Sequence, residues 1–274
     1  MKELDGRVGV VTGASTGIGR ATALAFARQG MRLVLASQNA DRLRDAVDAV
    51  AQTGVEVLGV PTDVGDAAAV QALAAAAAER FGAVDLLVNN AGVYVPGVAW
   101  EISQRDWDWV LNVNLMGPIY AIRAFLPHLL KRPEGHIVNV ASVGGLMPTV
   151  AHAPYCTSKH AVVGLSKALR ADLGLKSTRV GVTVVCPGPV ATAILSQHQN
   201  IGPGGVPHGP YELEPDVAGV WDVIGQFTDA GIAADDVGEM IVSAVRENRF
   251  WLLPNAELCH PVFDQELEDM KAER

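Results

Sequence analysis

Cysteine is scarce in this chain, with three among 274 residues. Cys156, Cys186 and Cys259 are an odd number, widely separated, and form no Cys-x-x-Cys pair, which argues against a disulfide framework or a metal site. Charge is low as well: 19% of residues are charged, and the balance is acidic, at −9. Phosphate backbones and anionic membranes need a basic face, so neither nucleic acid nor membrane is an expected partner. Long apolar runs are also missing. The longest, Ala67 to Ala78, is broken by Gln71, runs into Glu79 and Arg80, and is too short for a membrane span. The opening MKELDGRVGVV shows no secretory cleavage region, so a reduced, cytoplasmic setting is expected.

What is present is apolar bulk and glycine: 49% of residues are hydrophobic and 28 are Gly, a composition for a compact globule rather than a disordered chain. Short β-branched runs alternate with longer helical stretches. Strands are predicted at 8–11, 33–36, 55–60, 84–89, 136–141 and 180–186, with a last one at 250–253. Helices are predicted at 17–29 and 41–52, after Asp66, from Ser103 to about Leu130, at 154–173, and from Asp235 or Asp236 to about Glu247. Strands that are apolar throughout and separated by helices imply a mostly parallel sheet covered on both faces. The expected fold is therefore α/β, a doubly wound Rossmann-like sheet of about seven strands. It forms one domain over residues 1–274, with ligands at the carboxyl ends of its strands.

The first strand runs into TGASTGIG, Thr12 to Gly19, and then into a helix. Glycines here let the backbone turn sharply and approach a pyrophosphate, which the positive end of the helix attracts. Taken alone, a Gly-rich strand-to-helix turn has the same look. Tyr155 and Lys159 are four apart on a predicted helix and so share a face. A phenol with a pKa near 10 is a poor proton shuttle at neutral pH. A neighbouring ammonium, with the charge of an oxidised nicotinamide, is expected to lower it. Ser142, just past the fifth strand, can hold a carbonyl oxygen near that phenol, although a turn or cap Ser would also stand there.

In these motifs, taken in order, the chain resembles the short-chain dehydrogenase/reductase family. They are TGASTGIG, NNAG at 89–92, the Asn of LNVNLMG, the Ser of NVASVGG, YCTSK at 155–159 and PGPVAT at 187–192. The likeness covers residues 5 to 192 closely and runs more loosely to about 255. It implies a hydride transfer between a nicotinamide cofactor and a carbonyl or alcohol carbon. Asn114, Ser142, Tyr155 and Lys159 would form the catalytic set, with Asn114 favoured over Asn112 as the residue behind Lys159. The cofactor would lie along Gly13, Ser15, Thr16, Gly17, Ile18 and Gly19. Ser37 and Gln38, then Asp63 and Val64, then Asn90, Ala91 and Gly92 would line its adenine half. Tyr155, Lys159, Pro187, Gly188, Val190 and Thr192 would line its nicotinamide half. No metal is expected. Relatives pair through the helices at 104–130 and 154–173, so the resemblance also implies a homodimer or homotetramer.

Ser37 stands where an NAD-specific site carries an acid for the ribose 2′-hydroxyl. That favours NADP over NAD, with Arg42 or Arg20 as the group to meet a 2′-phosphate. Residues 193–234, which include IGPGGVPHGP at 201–210, are expected to form a substrate lid. From Ala191 through Val245 there is no Lys or Arg, while Glu212, Glu214, Asp216, Asp222 and Asp229 are present. Such a lid repels coenzyme A or a phosphopantetheine arm. With Trp221, Ile224 and Phe227 as an apolar face, the expected substrate is a hydrophobic, cyclic or aromatic ketone or secondary alcohol. The alternatives are a 3-oxoacyl-thioester reductase and a non-catalytic nucleotide-binding regulator. His152, His198 and His208 are expected to bind no metal, and the acidic 264–269 stretch reads as a solvated helix face.

Overall fold

The computed structural model describes residues 1–147, 149–197 and 213–255, with isolated positions between 260 and 271. His198, His208, Glu212, Cys259 and the IGPGGVPHGP stretch lie outside the described residues. The chain opens with β1 (Val8–Thr12), α1 (Gly17–Arg28), β2 (Arg32–Ser37), α2 (Ala40–Ala51), β3 (Val57–Pro61), α3 (Ala67–Phe81) and β4 (Leu86–Asn89). A long helical segment follows, α4 (Gln104–Leu111), a π-helical turn (Asn112–Met116) and α5 (Gly117–Leu129), then β5 (Gly135–Val140) and α6 (Ala153–Leu175). The rest comprises β6 (Val180–Val185), β7 (Val190–Ala191), α7 (Ile194–Gln197), α8 (Pro215–Asp229), β8 (Ile232–Ala233), α9 (Ala234–Arg246) and β9 (Trp251–Leu252).

Seven strands form one parallel sheet in the order β3-β2-β1-β4-β5-β6-β9. Alternation along each strand feeds two cores. Val10, Val34, Leu87 and Ile137 pack with α3 to α6, while Val11, Leu35, Val88 and Val138 pack with α1, α2 and α9. Both faces being covered is the reason these strands read as unbroken apolar runs. The strand order reverses between β1 and β4, the point at which a doubly wound sheet opens a crevice at its carboxyl edge.

The helix expected from Ser103 to Leu130 is interrupted. Ser103 caps it, its Oγ accepting from Asp106 N at 3.1 Å, but residues 112–116 widen into a π turn in which Gly117 N reaches back to Asn112 O. Pro118 supplies the reason: it has no N–H to give the carbonyl of Asn114, four residues behind it. A second difference lies in the expected lid. It is not all loop: α8 fills 215–229, and β7 pairs with β8 at its base.

Candidate active site

A cleft of about 640 Å³ opens over the carboxyl ends of β1, β2, β4 and β5. Every site residue expected from the sequence lines it except Gly19 and Asn114, which stand behind the wall. Gly13 has φ +61 and would place a Cβ 2.7 Å from Ala91 Cα, so only glycine fits that turn. At Gly19 a Cβ would fall 2.3 Å from Gly13 O, which keeps α1 tight against the loop before it. Thr12 and Asn90 bind the two loops together. Thr12 Oγ1 accepts from Asn90 N at 3.0 Å and Ala91 N at 3.2 Å, and Asn90 Nδ2 donates to the carbonyls of Thr12 and Gly13 at 3.0 and 3.1 Å. The first turn of α1 carries no carboxylate. A glycine cradle of this kind at a helix N-terminus fits the pyrophosphate of a dinucleotide.

At the end of β2, Ser37 Oγ donates to Ser15 Oγ at 2.8 Å, and Gln38 Nε2 donates to Asp63 Oδ2 at 3.2 Å. Arg42 lines this end of the cleft, whereas Arg20 is exposed outside it.

The reactive end is built on β5 and the first turn of α6. Ser142 Oγ accepts from Gly144 N at 3.1 Å, a capping role, and the serine hydroxyl is near enough to the Tyr155 phenol to favour its anion. One turn along α6, Lys159 is 3% exposed; its Nζ donates to Val140 O at 2.9 Å and lies 5.6 Å from the Tyr155 ring centre. Burial lowers the Lys159 pKa to about 8. The Tyr155 pKa moves opposite to the sequence expectation. Burial pushes it up to about 12, the nearby Ser142 hydroxyl opposes this, and Lys159 does not carry it down. In the ligand-free protein Tyr155 is thus a fully protonated phenol at neutral pH.

Asn114 sits in the π turn, 1% exposed, where widening turns its side chain onto the strand loop. Its Oδ1 accepts from Val93 N at 2.8 Å, and its Nδ2 donates to Val93 O at 2.9 Å and Ser158 Oγ at 3.1 Å. A methyl on Gly92 would lie 3.5 Å from Lys159 Nζ and 3.6 Å from Asn114 Oδ1, so Gly92 keeps the space between them open. Asn112 instead donates to Gly65 O at 2.9 Å, a structural tie. A buried chain that sequence reasoning missed aligns α6 with the sheet: Asn89 Nδ2 donates to Asn139 Oδ1, and Asn139 Nδ2 donates to Ser166 Oγ, both at 2.9 Å. Also missed were Tyr94, Thr149 and Leu195 in the cleft wall. Ile224 and Phe227 of α8 reach the cleft, while Trp221 packs against Tyr94 with ring planes tilted by 44° and centres 5.0 Å apart.

A doubly wound sheet with a dinucleotide cradle, and a Ser-Tyr-Lys group beside it, defines a nicotinamide-dependent oxidoreductase. The short chain dehydrogenase family profile matches residues 7–200, and the chain belongs to that family. It is similar to a short-chain dehydrogenase/reductase from Burkholderia phymatum solved with NAD, at 39% identity and a TM-score of 0.94, over 100% of this chain and 97% of that one. It is 32% identical to a CLA biosynthesis dehydrogenase/reductase of Lactiplantibacillus plantarum, over 98% of this chain and 93% of the relative. A third relative is the (2S)-[(R)-hydroxy(phenyl)methyl]succinyl-CoA dehydrogenase subunit BbsD of Thauera aromatica, 39% identical over 68% of this chain and 73% of its own. Among the described residues no helix is long and apolar enough to cross a membrane, and no cluster of side chains suits a metal.

Proposed function

We infer that this enzyme reduces hydrophobic ketones, or oxidises the corresponding secondary alcohols, with Tyr155 giving or taking the proton at the substrate oxygen. The observation that carries this is that Ser142, Tyr155 and Lys159 line one end of the cleft together, beside the glycine cradle. A bound nicotinamide supplies or accepts the hydride. Ser142 orients the carbonyl, and Tyr155 Oη hands its proton to the oxygen as negative charge develops there. Lys159 keeps an ammonium 5.6 Å from the centre of the phenol ring, and Asn114 fixes the Val93 backbone beside it. Tyr155→Phe is expected to bind cofactor normally and lose about a hundredfold to ten-thousandfold in NADPH consumption with a ketone. Undiminished turnover would remove Tyr155 from its role.

For the cofactor we favour NADP. No carboxylate stands at Ser37, and Arg42 lines the same end of the cleft. The Burkholderia structure holds NAD, which makes NADH the competitor. The comparison of kcat/KM for NADPH and NADH decides, and Arg42→Ala should erode the NADPH preference. A strong NADH preference in the unaltered enzyme rejects this choice. For the substrate, the apolar α8 face and a lid without Lys or Arg from Ala191 to Val245 support a neutral ligand over a coenzyme A ester. Faster turnover of an acyl-carrier thioester than of every neutral ketone would reverse that preference.

A further inference from the structure

Tyr94 takes no part in the proton chemistry, yet it belongs to the cleft wall. It follows Gly92 and Val93 beyond β4 and is 3% exposed. Its ring meets His152 edge-on at 4.7 Å, Tyr155 at 5.1 Å and Trp221 at 5.0 Å between centres. Phe would make all three contacts. The phenol adds a hydroxyl that is fully buried and, among the described residues, has no hydrogen-bond partner. A buried donor without a partner carries its whole desolvation cost, and native structures hold few of them.

Trp221 sits on α8, and Val217 is the buried residue of that helix. Trp221 and Ile224 of the helix are half-buried, and Ile224, Phe227 and Thr228 reach the cleft. Tyr94 lies next to the phenol that protonates the substrate, its ring 5.1 Å from that of Tyr155. We propose that Tyr94 determines specificity, its hydroxyl donating to a second oxygen of the substrate while Trp221 closes over the bound molecule. The substrate class is then a ketone carrying a hydroxyl, ether or second carbonyl one or two carbons from the reacting carbon, together with the matching alcohol. This deepens the reading given above and rests on Tyr155 as the proton donor. A pocket that leaves a buried donor to be paired by the ligand rejects analogues lacking the acceptor far more strongly than an apolar pocket rejects a missing methylene.

The test uses two size-matched pairs, α-hydroxyacetophenone against propiophenone and β-hydroxypropiophenone against butyrophenone, on the unaltered enzyme and Tyr94→Phe. The unaltered enzyme should prefer the hydroxylated member of at least one pair by about tenfold or more in kcat/KM, and the Phe variant should lose that ratio. Calorimetric binding of the same compounds should give the same ratios without turnover. Ligand-free Tyr94→Phe should melt no lower than the unaltered protein, because the change deletes an unpaired buried group. No preference for either hydroxylated ketone, or a preference that survives in Tyr94→Phe, overturns the proposal. If no ketone is reduced but the binding preference is present and vanishes in the Phe variant, the Tyr155 assignment fails and that of Tyr94 stands.

Discussion

At the scale of single residues, the site is set by what burial does to two groups in opposite senses. Tyr155, near 12, stays protonated across the working range, while Lys159, near 8, begins to lose its ammonium just above neutrality. Reduction should therefore hold steady below pH 8 and fall above it as the cation beside the phenol disappears, which a pH profile of kcat/KM checks. A profile still rising at pH 9 would contradict this. The same shift has a stability consequence. A lysine whose folded pKa lies below its unfolded value of about 10.4 is destabilising while charged, and folding gains as pH rises from about 8 through that value. Lys159→Met is thus expected to lose most activity yet raise Tm by a few degrees at pH 7, a functional group held at the expense of stability. A lower Tm in that variant would show that its bond to Val140 outweighs the buried charge.

Among elements, the π turn is the piece that aims Asn114. Asn114→Ala removes the ties to both backbone groups of Val93 and to Ser158, so it should cost about 1–3 kcal/mol in denaturant unfolding and depress kcat more than KM. A loss in KM alone would instead place Asn114 at the substrate. Gly19→Ala, meeting Gly13 O at 2.3 Å, should abolish cofactor binding measured by fluorescence titration while Tyr155 remains in place. Most elements were legible in the sequence because a doubly covered parallel sheet writes its strands as unbroken apolar runs, as at Val8–Thr12 and Gly135–Val140. β3 begins two residues later than its apolar run, since Val55 precedes Glu56 and sheet pairing begins at Val57. The interruption at Asn114 was readable in principle from Pro118, but amphipathic spacing alone runs straight through it. α8 escaped notice because Gly and Pro dominate the segment before it, although Pro215 at its first position, with Val217, Trp221 and Ile224 following, marks a helix. Spacing put Tyr155 and Lys159 on one face of α6, while their roles and that of Ser142 came from the family resemblance. Tyr94 was not legible, because its neighbours at 152, 155 and 221 are brought to it only by the tertiary fold.

For the whole molecule, acid is the condition that tests the sheet. His136 on β5 bonds Thr183 on β6 at 2.8 Å, and Thr183 donates to Arg249 O at 2.6 Å. Burial lowers the His136 pKa to about 3, and that of His152 to about 4. Both fold as neutral rings, so the stability they allow is complete above about 6.5 and is withdrawn as pH falls toward those values, by about 1.4 kcal/mol per pH unit for each group. Denaturant midpoints should drop between pH 6.5 and 4, and His136→Gln should flatten part of that drop. An unchanged slope in the variant would assign it to other groups. The two cores absorb nearly all of the apolar residues on both sides of the sheet, and α8 belongs to neither, contributing Val217 alone to the buried set. Its half-buried positions, among them Trp221, Ile224 and Thr228, face the cleft and Tyr94 rather than the two cores. Selection can retune what this enzyme accepts by rewriting one surface helix, while the machinery that moves hydride and proton is inherited intact.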